Sequence, residues 1–329
     1  RRADREYPGH VGCPGCDHDG AEFHADANGH RHGDRNADGD SHGHRYAYTD
    51  RDVMLYAYGI GLGADPMDEK ELAYVNEGTY TPRPLKVVPT FASVAAWGAG
   101  PGDMKLNRVM VVDGERDITF HKPLPAAAKI TADSTVLDIF DKGKDKGAVI
   151  RHQTVLKDEN GDKLATLVAS RFARGDGGFG GPSEGQPEPH KVPSRAPDQV
   201  VDITTRPDQA LVYRLCGDRN PLHSDPEFAK KAGFPRPILH GMCTYGITCR
   251  GVLQTYADYD PAAFKQHAAR FSSPWGRWSG SMGRIAGEPT GGPDSAPIRV
   301  DVRHRRGAGR RPVPWRAWPH RRSAWPGSR

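Results

Sequence analysis

The chain has 329 residues and a mass of 36.0 kDa, enough for one large domain or for two halves with separate cores. Its net charge of +5 comes from residues 275–329, where arginines outnumber acidic residues, so the rest of the chain is acidic. Five cysteines are too few for a disulfide framework, and no apolar run approaches the ~20 residues of a membrane span. These features argue against a disulfide-stapled secreted domain and a membrane-spanning protein, and they predict a cytoplasmic protein.

Residues 1–45 are rich in His, Asp and Gly and contain almost no Leu, Ile or Val. Such a segment cannot bury enough apolar surface to offset the entropy of ordering, so we expect it to be disordered. Cys13 and Cys16, with histidines nearby, have the ligand types and the spacing of a zinc site. A second pair of closely spaced ligands and a hydrophobic core are lacking, so we predict no metal site.

Residues 46–174 show the pattern of one α+β unit. A helix is predicted to begin after Thr49, which can cap it, and to end at Gly59, and a second apolar helical run covers residues 89–97. An antiparallel meander should follow, with alternating or β-branched segments at residues 104–112, 117–120, 129–140, 148–157 and 163–174. The turn formers between these segments are Asp113-Gly114, Lys142-Gly143 and Asn160-Gly161-Asp162.

Residues 175–197 are rich in Gly and Pro and predict a linker, after which the same order of elements begins again in residues 198–274. Helical segments are predicted at 207–215, 226–232 and 238–256, and a strand is predicted from 268. The run LYAYGIGLGADP, from Leu55, is similar to LVYRLCGDRNPLHSDP, from Leu211, but it lacks the Asp, Asn and His of the second run. We interpret the chain as a duplicated unit in which only the second copy has a working site.

The segment CGDRNPLHSD places two ionisable side chains, Asp218 and His223, in a stiff loop. Gly217 permits a sharp turn, and Pro221 fixes one backbone dihedral and removes a donor. An Asp and a His that share a water molecule form an acid/base pair, because imidazole titrates near neutrality and a carboxylate can accept or return the second proton. Asn220, between them, can orient one partner or hold the water. This chemistry suits the addition of water across an activated double bond.

The run PILHGM follows, and its Gly241 lies at the predicted start of the long helix. The free N–H groups and the positive dipole end of a helix bind anions, and a glycine lets a substrate carbonyl approach the backbone closely. An enolate oxygen would be stabilised there, by roughly 3–4 kcal/mol per donor in comparable oxyanion sites. His240 is interpreted as a packing or capping residue, and Cys216 as a small packing residue.

The core G-D-x-N-P-L-H, within residues 213–229, and the following P-I-L-H-G resemble the motifs of the hydratase 2 family of MaoC-like enzymes. Residues 46–274 resemble most closely the hydratase part of peroxisomal multifunctional enzymes of type 2 and their bacterial relatives. This resemblance implies a double hot-dog fold, in which two long helices are each wrapped by an antiparallel sheet. It also implies that residues 46–174 bind the acyl group and that the protein is a homodimer.

The resemblance further implies a reaction. Asp218 and His223 would activate the water that adds to a trans-2-enoyl-CoA, giving the (R)-3-hydroxyacyl-CoA, in fatty-acid or steroid side-chain β-oxidation. Asn220 would orient this pair, and the Gly241 N–H would hold the thioester oxygen. The partner is the acyl-CoA substrate, and no cofactor or metal is implied. Other substrate contacts are implied at Asp113, where relatives often have His, and at Gly114, Lys142 (a partner for a CoA phosphate) and Phe271.

Residues 275–329 concentrate Arg, Trp, Pro and Gly and retain no strand alternation. The segment is expected to be disordered or translated out of frame, which would leave the second sheet incomplete. Two alternative functions remain open at this point. One is a hot-dog enzyme or binder that acts on acyl-CoA thioesters without hydrating them, and the other is a nucleic-acid-binding module that uses the basic tail, which scattered Arg among Pro and Gly support only weakly.

Overall fold

The computed structural model describes residues 44–78, 80–100, 104–107, 110–188, 196, 198–271, 277–279, 283–286 and 297–302. The α-helices are α1 (Asp50–Gly59), α2 (Glu69–Val75), α3 (Gln209–Tyr213), α4 (Pro226–Lys231) and α5 (Gly241–Thr255). The strands are β1 (His44–Tyr48), β2 (Val111–Phe120), β3 (Ala128–Asp141), β4 (Ala148–Lys157), β5 (Lys163–Ala173), β6 (Gln199–Thr204), β7 (Gln266–Phe271), β8 (Arg277–Ser279), β9 (Gly283–Ala286) and β10 (Pro297–Val302). Short 3-10 turns lie at Pro89–Ser93, Arg214–Cys216, Pro221–His223 and Pro261–Ala263.

These ten strands form one sheet in the order β1-β3-β4-β5-β2-β7-β8-β9-β10-β6. The first five strands in the chain occupy one half of the sheet and the last five occupy the other. The two halves meet where β2 pairs with β7, so the sheet is continuous across the predicted duplication. Mixed helix and antiparallel sheet confirm the predicted α+β class, while β1 and β6 were not predicted.

The helix predicted after Thr49 is confirmed as α1. The Asp52 carboxylate accepts a hydrogen bond from the Thr49 N–H at 2.8 Å, which satisfies a donor that the helix itself cannot use. The helix ends at Gly59, as the sequence predicts. The strand β1 begins at His44, inside the segment 1–45 that the sequence predicts to be disordered. Residues 1–43, with Cys13 and Cys16, lie outside the described residues.

The helix predicted at residues 89–97 is only a 3-10 turn, Pro89–Ser93, followed by turns. The Ser93 hydroxyl donates to the Thr90 carbonyl at 2.7 Å, and the Thr90 hydroxyl accepts from Tyr56 Oη at 3.0 Å. Ser and Thr side chains that bond the local backbone or a distant partner compete with a regular helix. The first half therefore has a short segment where the resemblance implies a long helix, and α5 is the longest helix of the described residues.

The strand predicted at residues 104–112 begins only at Val111, and Asp113-Gly114, predicted as a turn, lies inside β2. The pairing of β2 with β5 shifts its register between Asp113 and Glu115, which marks a bulge. A Cβ on Gly114 would lie 2.6 Å from Ser170 Oγ, so a larger residue there would require the Ser170 side chain to move. The turn prediction is wrong because a glycine permits both a tight turn and a bulge, and only the pairing with β5 selects between them.

The second half continues beyond residue 275, where the sequence predicts no further strand. The strands β8 and β9 extend the sheet from β7, and β10 pairs with β6. The helix α5 contacts β6, β7 and β10, so the expectation of an incomplete second sheet is wrong. The sequence signal was short: in β10, Ile298, Val300 and Val302 alternate with charged residues. The remaining tail, where nucleic-acid binding was considered, lies outside the described residues.

The part of the predicted linker that the structure describes, residues 175–188, lies against the end of β3. The Asp141 carboxylate accepts hydrogen bonds from the N–H groups of Gly178 and Gly180, each at 2.7 Å, and these bonds lower the pKa of Asp141. Lys142 Nζ donates to the Ser183 carbonyl at 2.6 Å. This part of the chain is therefore bonded to the first half-sheet.

The helix α5 is almost entirely buried and packs on α1 at a glycine. A Cβ on Gly246 would lie 2.5 Å from Ile60 Cγ2 and 2.8 Å from Tyr56 Oη, so a larger residue would force the two helices apart. None of the helices in the described residues has the length and apolar character that crossing a bilayer requires.

Candidate active site

The loop before His223 is shaped by a glycine that no other residue could replace. Gly217 has φ of +134°, and a Cβ there would lie 2.5 Å from Trp97 Cγ. After this bend, the Asp218 carboxylate accepts from the Asn220 N–H at 3.1 Å. The Asn220 side chain in turn accepts from the Leu222 N–H at 3.0 Å and caps the short 3-10 turn that ends at His223. The loop is therefore held by local hydrogen bonds.

His223 is buried and fixed by its own ring nitrogen. Its Nδ1 lies 2.8 Å from the Ile238 carbonyl. A carbonyl can only accept, so Nδ1 carries the hydrogen, and Nε2 is the nitrogen that has a lone pair whenever the ring is neutral. The imidazole is thus held in the tautomer that presents a base at Nε2.

His240 contacts both Asp218 and His223, the pair called the dyad from here on. The sequence did not predict this contact. Its ring stacks on the ring of His223, with centroids 3.7 Å apart and an interplanar angle of 26°. Its Nε2 lies 3.1 Å from the Asp218 carbonyl, to which it donates. The sequence interpretation of a packing residue is therefore incomplete, because this side chain also bonds the backbone of Asp218. Contacts between a loop and a helix start that are distant in sequence leave no periodic signal.

Burial keeps His240 neutral. Desolvation lowers its pKa to about 3, and the neighbouring His223 also lowers it. Its Nδ1 and the hydroxyl of Tyr213, whose ring centroid lies 5.0 Å from that of His240, have no hydrogen-bond partner among the described residues. Both groups are buried beside the dyad.

Replacing His240 by Phe should test this neutral state. The folded protein holds His240 uncharged, whereas an unfolded histidine titrates near 6.5, so this contribution to stability is complete above about pH 6.5 and is lost as the pH falls toward 3. In His240→Phe, the free energy of unfolding should decline less steeply between pH 6.5 and 5, by up to about 1.4 kcal/mol per pH unit. Denaturant titrations of both proteins at several pH values measure this slope, and equal slopes would contradict the assignment.

Three potential metal ligands meet here: one atom each from Asp218, His223 and His240, all within 4.8 Å of one another. The stacked rings lie in nearly parallel planes, whereas a metal must lie close to the plane of each ligating imidazole. One ion between the rings would lie well outside both planes. The arrangement therefore suits proton transfer better than it suits metal binding.

Gly241 is the first residue of α5, directly after His240. The first N–H groups of a helix have no partner within the helix and point out of its start. The dyad loop and this helix start are tied together by the bonds of His223 to Ile238 and of His240 to Asp218. The predicted oxyanion donor and the predicted acid/base pair are thus held in one place. Burial raises the pKa of the nearby Cys216 to about 12, which fits a packing role.

The strand register brings three of the four predicted substrate contacts together. Glu115 of β2 lies opposite Arg270 of β7, so Gly114 and Asp113 lie beside Phe271, at the junction of the two half-sheets. Lys142 follows the end of β3. This strand is three strands away from β2, but Lys142 lies at the same end of the sheet as Asp113. Its ammonium bonds the Ser183 carbonyl and lies 5.3 Å from the centroid of the Phe140 ring.

Asp113 is also engaged. Arg116 Nη2 donates to its carboxylate at 2.6 Å, with both side chains partly buried. The structure therefore places all four residues at one end of the sheet.

Comparison with known proteins gives two matching family models. The MFE-2 hydratase 2 N-terminal domain matches residues 46–175, and the MaoC like domain matches residues 189–275. Over 233 residues, the chain is 44% identical to the enoyl-CoA hydratase ChsH3 of Mycobacterium tuberculosis, covering 68% of this chain and 78% of that protein. It is 39% identical over 240 residues to a peroxisomal enoyl-CoA hydratase 2 of Arabidopsis thaliana, covering 68% and 76%.

Solved structures give the same result. A MaoC-like dehydratase from Phytophthora capsici has 30% sequence identity and a TM-score of 0.62, over 80% of this chain and 96% of that one. The full-length peroxisomal multifunctional enzyme type 2 of Drosophila melanogaster has 30% identity and a TM-score of 0.60, over 79% of this chain and 48% of that one. The predicted double hot-dog fold is confirmed. The chain belongs to the MaoC-like hydratase 2 family, with an MFE-2 hydratase 2 N-terminal domain followed by a MaoC-like domain.

Proposed function

We propose that this chain is a hydro-lyase that adds water to trans-2-enoyl-CoA thioesters and forms (R)-3-hydroxyacyl-CoA, in fatty-acid or steroid side-chain β-oxidation. One observation carries the proposal: Asp218 and His223, in a family motif, lie within 4.8 Å of each other at the start of α5. The names of the relatives, enoyl-CoA hydratase and 3-hydroxyacyl-thioester dehydratase, support the same reaction.

The chemistry follows from the fixed tautomer. A water molecule between Asp218 and His223 loses one proton to this pair, and its oxygen forms the bond to C3 of the enoyl group. The C2–C3 double bond opens toward the thioester, and C2 then takes a proton from the pair. The sum is one water added, with no electron transferred. Neither a redox cofactor nor a metal is needed for this balance.

The Gly241 N–H stabilises the enolate that forms when water adds. As the first donor of α5, it can bind the thioester oxygen, where negative charge develops. Asn220 contributes by holding the loop, since its backbone bonds Asp218 and its side chain caps the 3-10 turn before His223. Asn220 therefore acts by shaping the loop and not by binding the water directly.

We further propose that the protein is a cytoplasmic homodimer, in which residues 46–174 bind the acyl group. The cysteine content and the family resemblance support this assembly and location. Size-exclusion chromatography with light scattering measures the oligomeric state.

The function is tested by incubating the purified chain with crotonyl-CoA and with longer trans-2-enoyl-CoA thioesters. We expect the absorbance of the conjugated enoyl thioester to decrease and chiral chromatography to identify the (R)-3-hydroxyacyl product. If the chain binds these thioesters but leaves the double bond intact, it is instead a non-hydrating thioester enzyme or binder, and the proposal is wrong. The opposite stereochemistry would contradict the placement of the water.

A further inference from the structure

The core-facing side of the first half-sheet carries polar side chains that the dyad does not use. In an antiparallel sheet, residues directly opposite each other lie on the same face. His152 of β4 lies opposite Ala169 of β5, which lies opposite Arg116 of β2. Leu156, four residues after His152 and therefore on the same face, belongs to the hydrophobic core. His152 and Arg116 thus face the interior, separated by one small residue.

The bulge at Gly114 adds an acidic residue to this face. Asp113 lies opposite Arg171 of β5, and Arg171 is two residues from Ala169, so Asp113, Arg171 and Arg116 all lie on the core-facing side. The ion pair of Arg116 with Asp113, at 2.6 Å, is possible because of the bulge. In a regular strand without the bulge, Asp113 and Arg116, three residues apart, would lie on opposite faces.

We call the four side chains of Asp113, Arg116, Arg171 and His152 the polar group. Apolar side chains of β3 border this polar group and are open to solvent. Val136 lies opposite His152, and Ile139 lies opposite Ile150, because β3 has a bulge between them. Val136 is 38% exposed and Ile139 is 36% exposed, although both lie on the core-facing side. Among the described residues, the first half has only the 3-10 turn Pro89–Ser93 where a long helix would cover a sheet, and nothing described there covers this end of the face.

The polar group has unused hydrogen-bonding capacity. Arg116 Nε and His152 Nδ1 are buried and have no hydrogen-bond partner among the described residues. Arg116 and Arg171 place cationic side chains beside His152, and Asp113 places one carboxylate there. Desolvation lowers the pKa of His152 to about 4, so its ring is neutral near pH 7. The face is therefore suited to one anionic oxygen group.

This face adjoins the substrate site. Phe271 lies two residues beyond Ala269, which is opposite Arg116, so Phe271 also faces the core beside the polar group. The segment that begins with the 3-10 turn Pro89–Ser93 contacts β2 and β5 and continues to Trp97, which lies against Gly217, the neighbour of Asp218. One segment thus contacts both the dyad loop and this half-sheet.

We propose that Arg116, with Arg171 and His152, forms an oxyanion subsite for the acyl-CoA substrate, and that Val136 and Ile139 contact an apolar part of the same ligand. This inference rests on the proposed function. Two parts of an acyl-CoA carry the required chemistry: a carboxylate at the far end of the acyl chain and the 3′-phosphate of the CoA group. Both present charged oxygens that pair with a guanidinium group.

Binding experiments without turnover distinguish these sources. The ligands are saturated acyl-CoA thioesters of six to fourteen carbons, their ω-carboxylated analogues, and the same thioesters of 3′-dephospho-CoA, and calorimetry measures Kd. The preference for a group is the ratio of the Kd of the ligand without it to the Kd of the ligand with it. In Arg116→Gln, we expect the preference for the ω-carboxylate or the preference for the 3′-phosphate to fall about tenfold, because a charged hydrogen bond is lost. His152→Phe, which keeps an aromatic ring, should weaken the same preference.

The matched control is Arg151→Gln. Arg151 precedes His152 on β4 and is paired with Asp138, but it lies opposite Ser170 and therefore on the outer face. This variant should keep both preferences. If neither preference changes in Arg116→Gln and His152→Phe, while circular dichroism shows both variants folded, the subsite is overturned. If the unmodified chain binds acyl-CoA thioesters but does not hydrate enoyl-CoA, the proposed function is wrong. The subsite is tested separately, because binding is measured without turnover.

Discussion

Asp218→Asn and His223→Gln should each lower kcat for trans-2-enoyl-CoA hydration by about 10²- to 10⁴-fold, the usual contribution of a general acid or base. An amide cannot take the proton of the attacking water. Asn at 218 can still accept from the Asn220 N–H, and Gln at 223 retains a donor for the Ile238 carbonyl, so the loop should keep its shape. Initial rates with saturating substrate, together with melting temperatures, measure the two effects separately.

Matched exchanges elsewhere should leave hydration unchanged. Asp260 caps a 3-10 turn by accepting from the Ala262 N–H at 2.9 Å, and Asn is an equally good cap. His121 is exposed and bonds Thr166, outside the dyad. We therefore expect wild-type rates in Asp260→Asn and His121→Gln. Wild-type rates in both dyad variants as well would show that the acid/base assignment is wrong.

Glu71→Gln should lower the free energy of unfolding by about 3–5 kcal/mol, as expected when a buried ion pair loses one charge. Glu71 in α2 accepts from Arg250 Nη2 at 2.7 Å and from Arg250 Nε at 3.1 Å, and both side chains are buried. Its other oxygen accepts from the Gly63 N–H at 2.9 Å. Since Arg250 lies in α5, the pair joins the first half of the chain to the helix that begins at the active site. Denaturant unfolding measures the loss.

The neighbouring Lys70 provides the control. Its ion pair with Asp258 joins the same two regions, but the side chains are 61% and 85% exposed, so solvent screens it. Lys70→Met should leave the unfolding midpoint unchanged. The double variant Glu71→Leu/Arg250→Met should recover much of the stability that Glu71→Gln loses, because no buried charge remains unpaired. If Glu71→Gln were as stable as Lys70→Met, the pair would not hold the halves together.

Secondary structure was predicted best where the signal is local. α1 follows its cap at Thr49, and β4 occupies residues 148–157 as predicted, because this segment is rich in β-branched residues and ends just before the turn formers Asn160-Gly161-Asp162. The predictions at residues 89–97 and at Asp113-Gly114 failed because distant contacts decided them. In the first case the Thr90 hydroxyl bonds Tyr56, and in the second the pairing with β5 places an Asp-Gly pair inside a strand.

The loop CGDRNPLHSD is determined by the sequence alone, because Gly217, Asn220 and Pro221 set its bend and its cap through local bonds. Only the tertiary structure stacks His240 on His223 and closes the loop against α5. It also brings Asp113 beside Phe271 and turns Arg116 and His152 to the core-facing side. The bulge at Gly114 and the pairing of β2 with β5 and β7 depend on hydrogen bonds between strands far apart in the chain, whose register no local turn fixes.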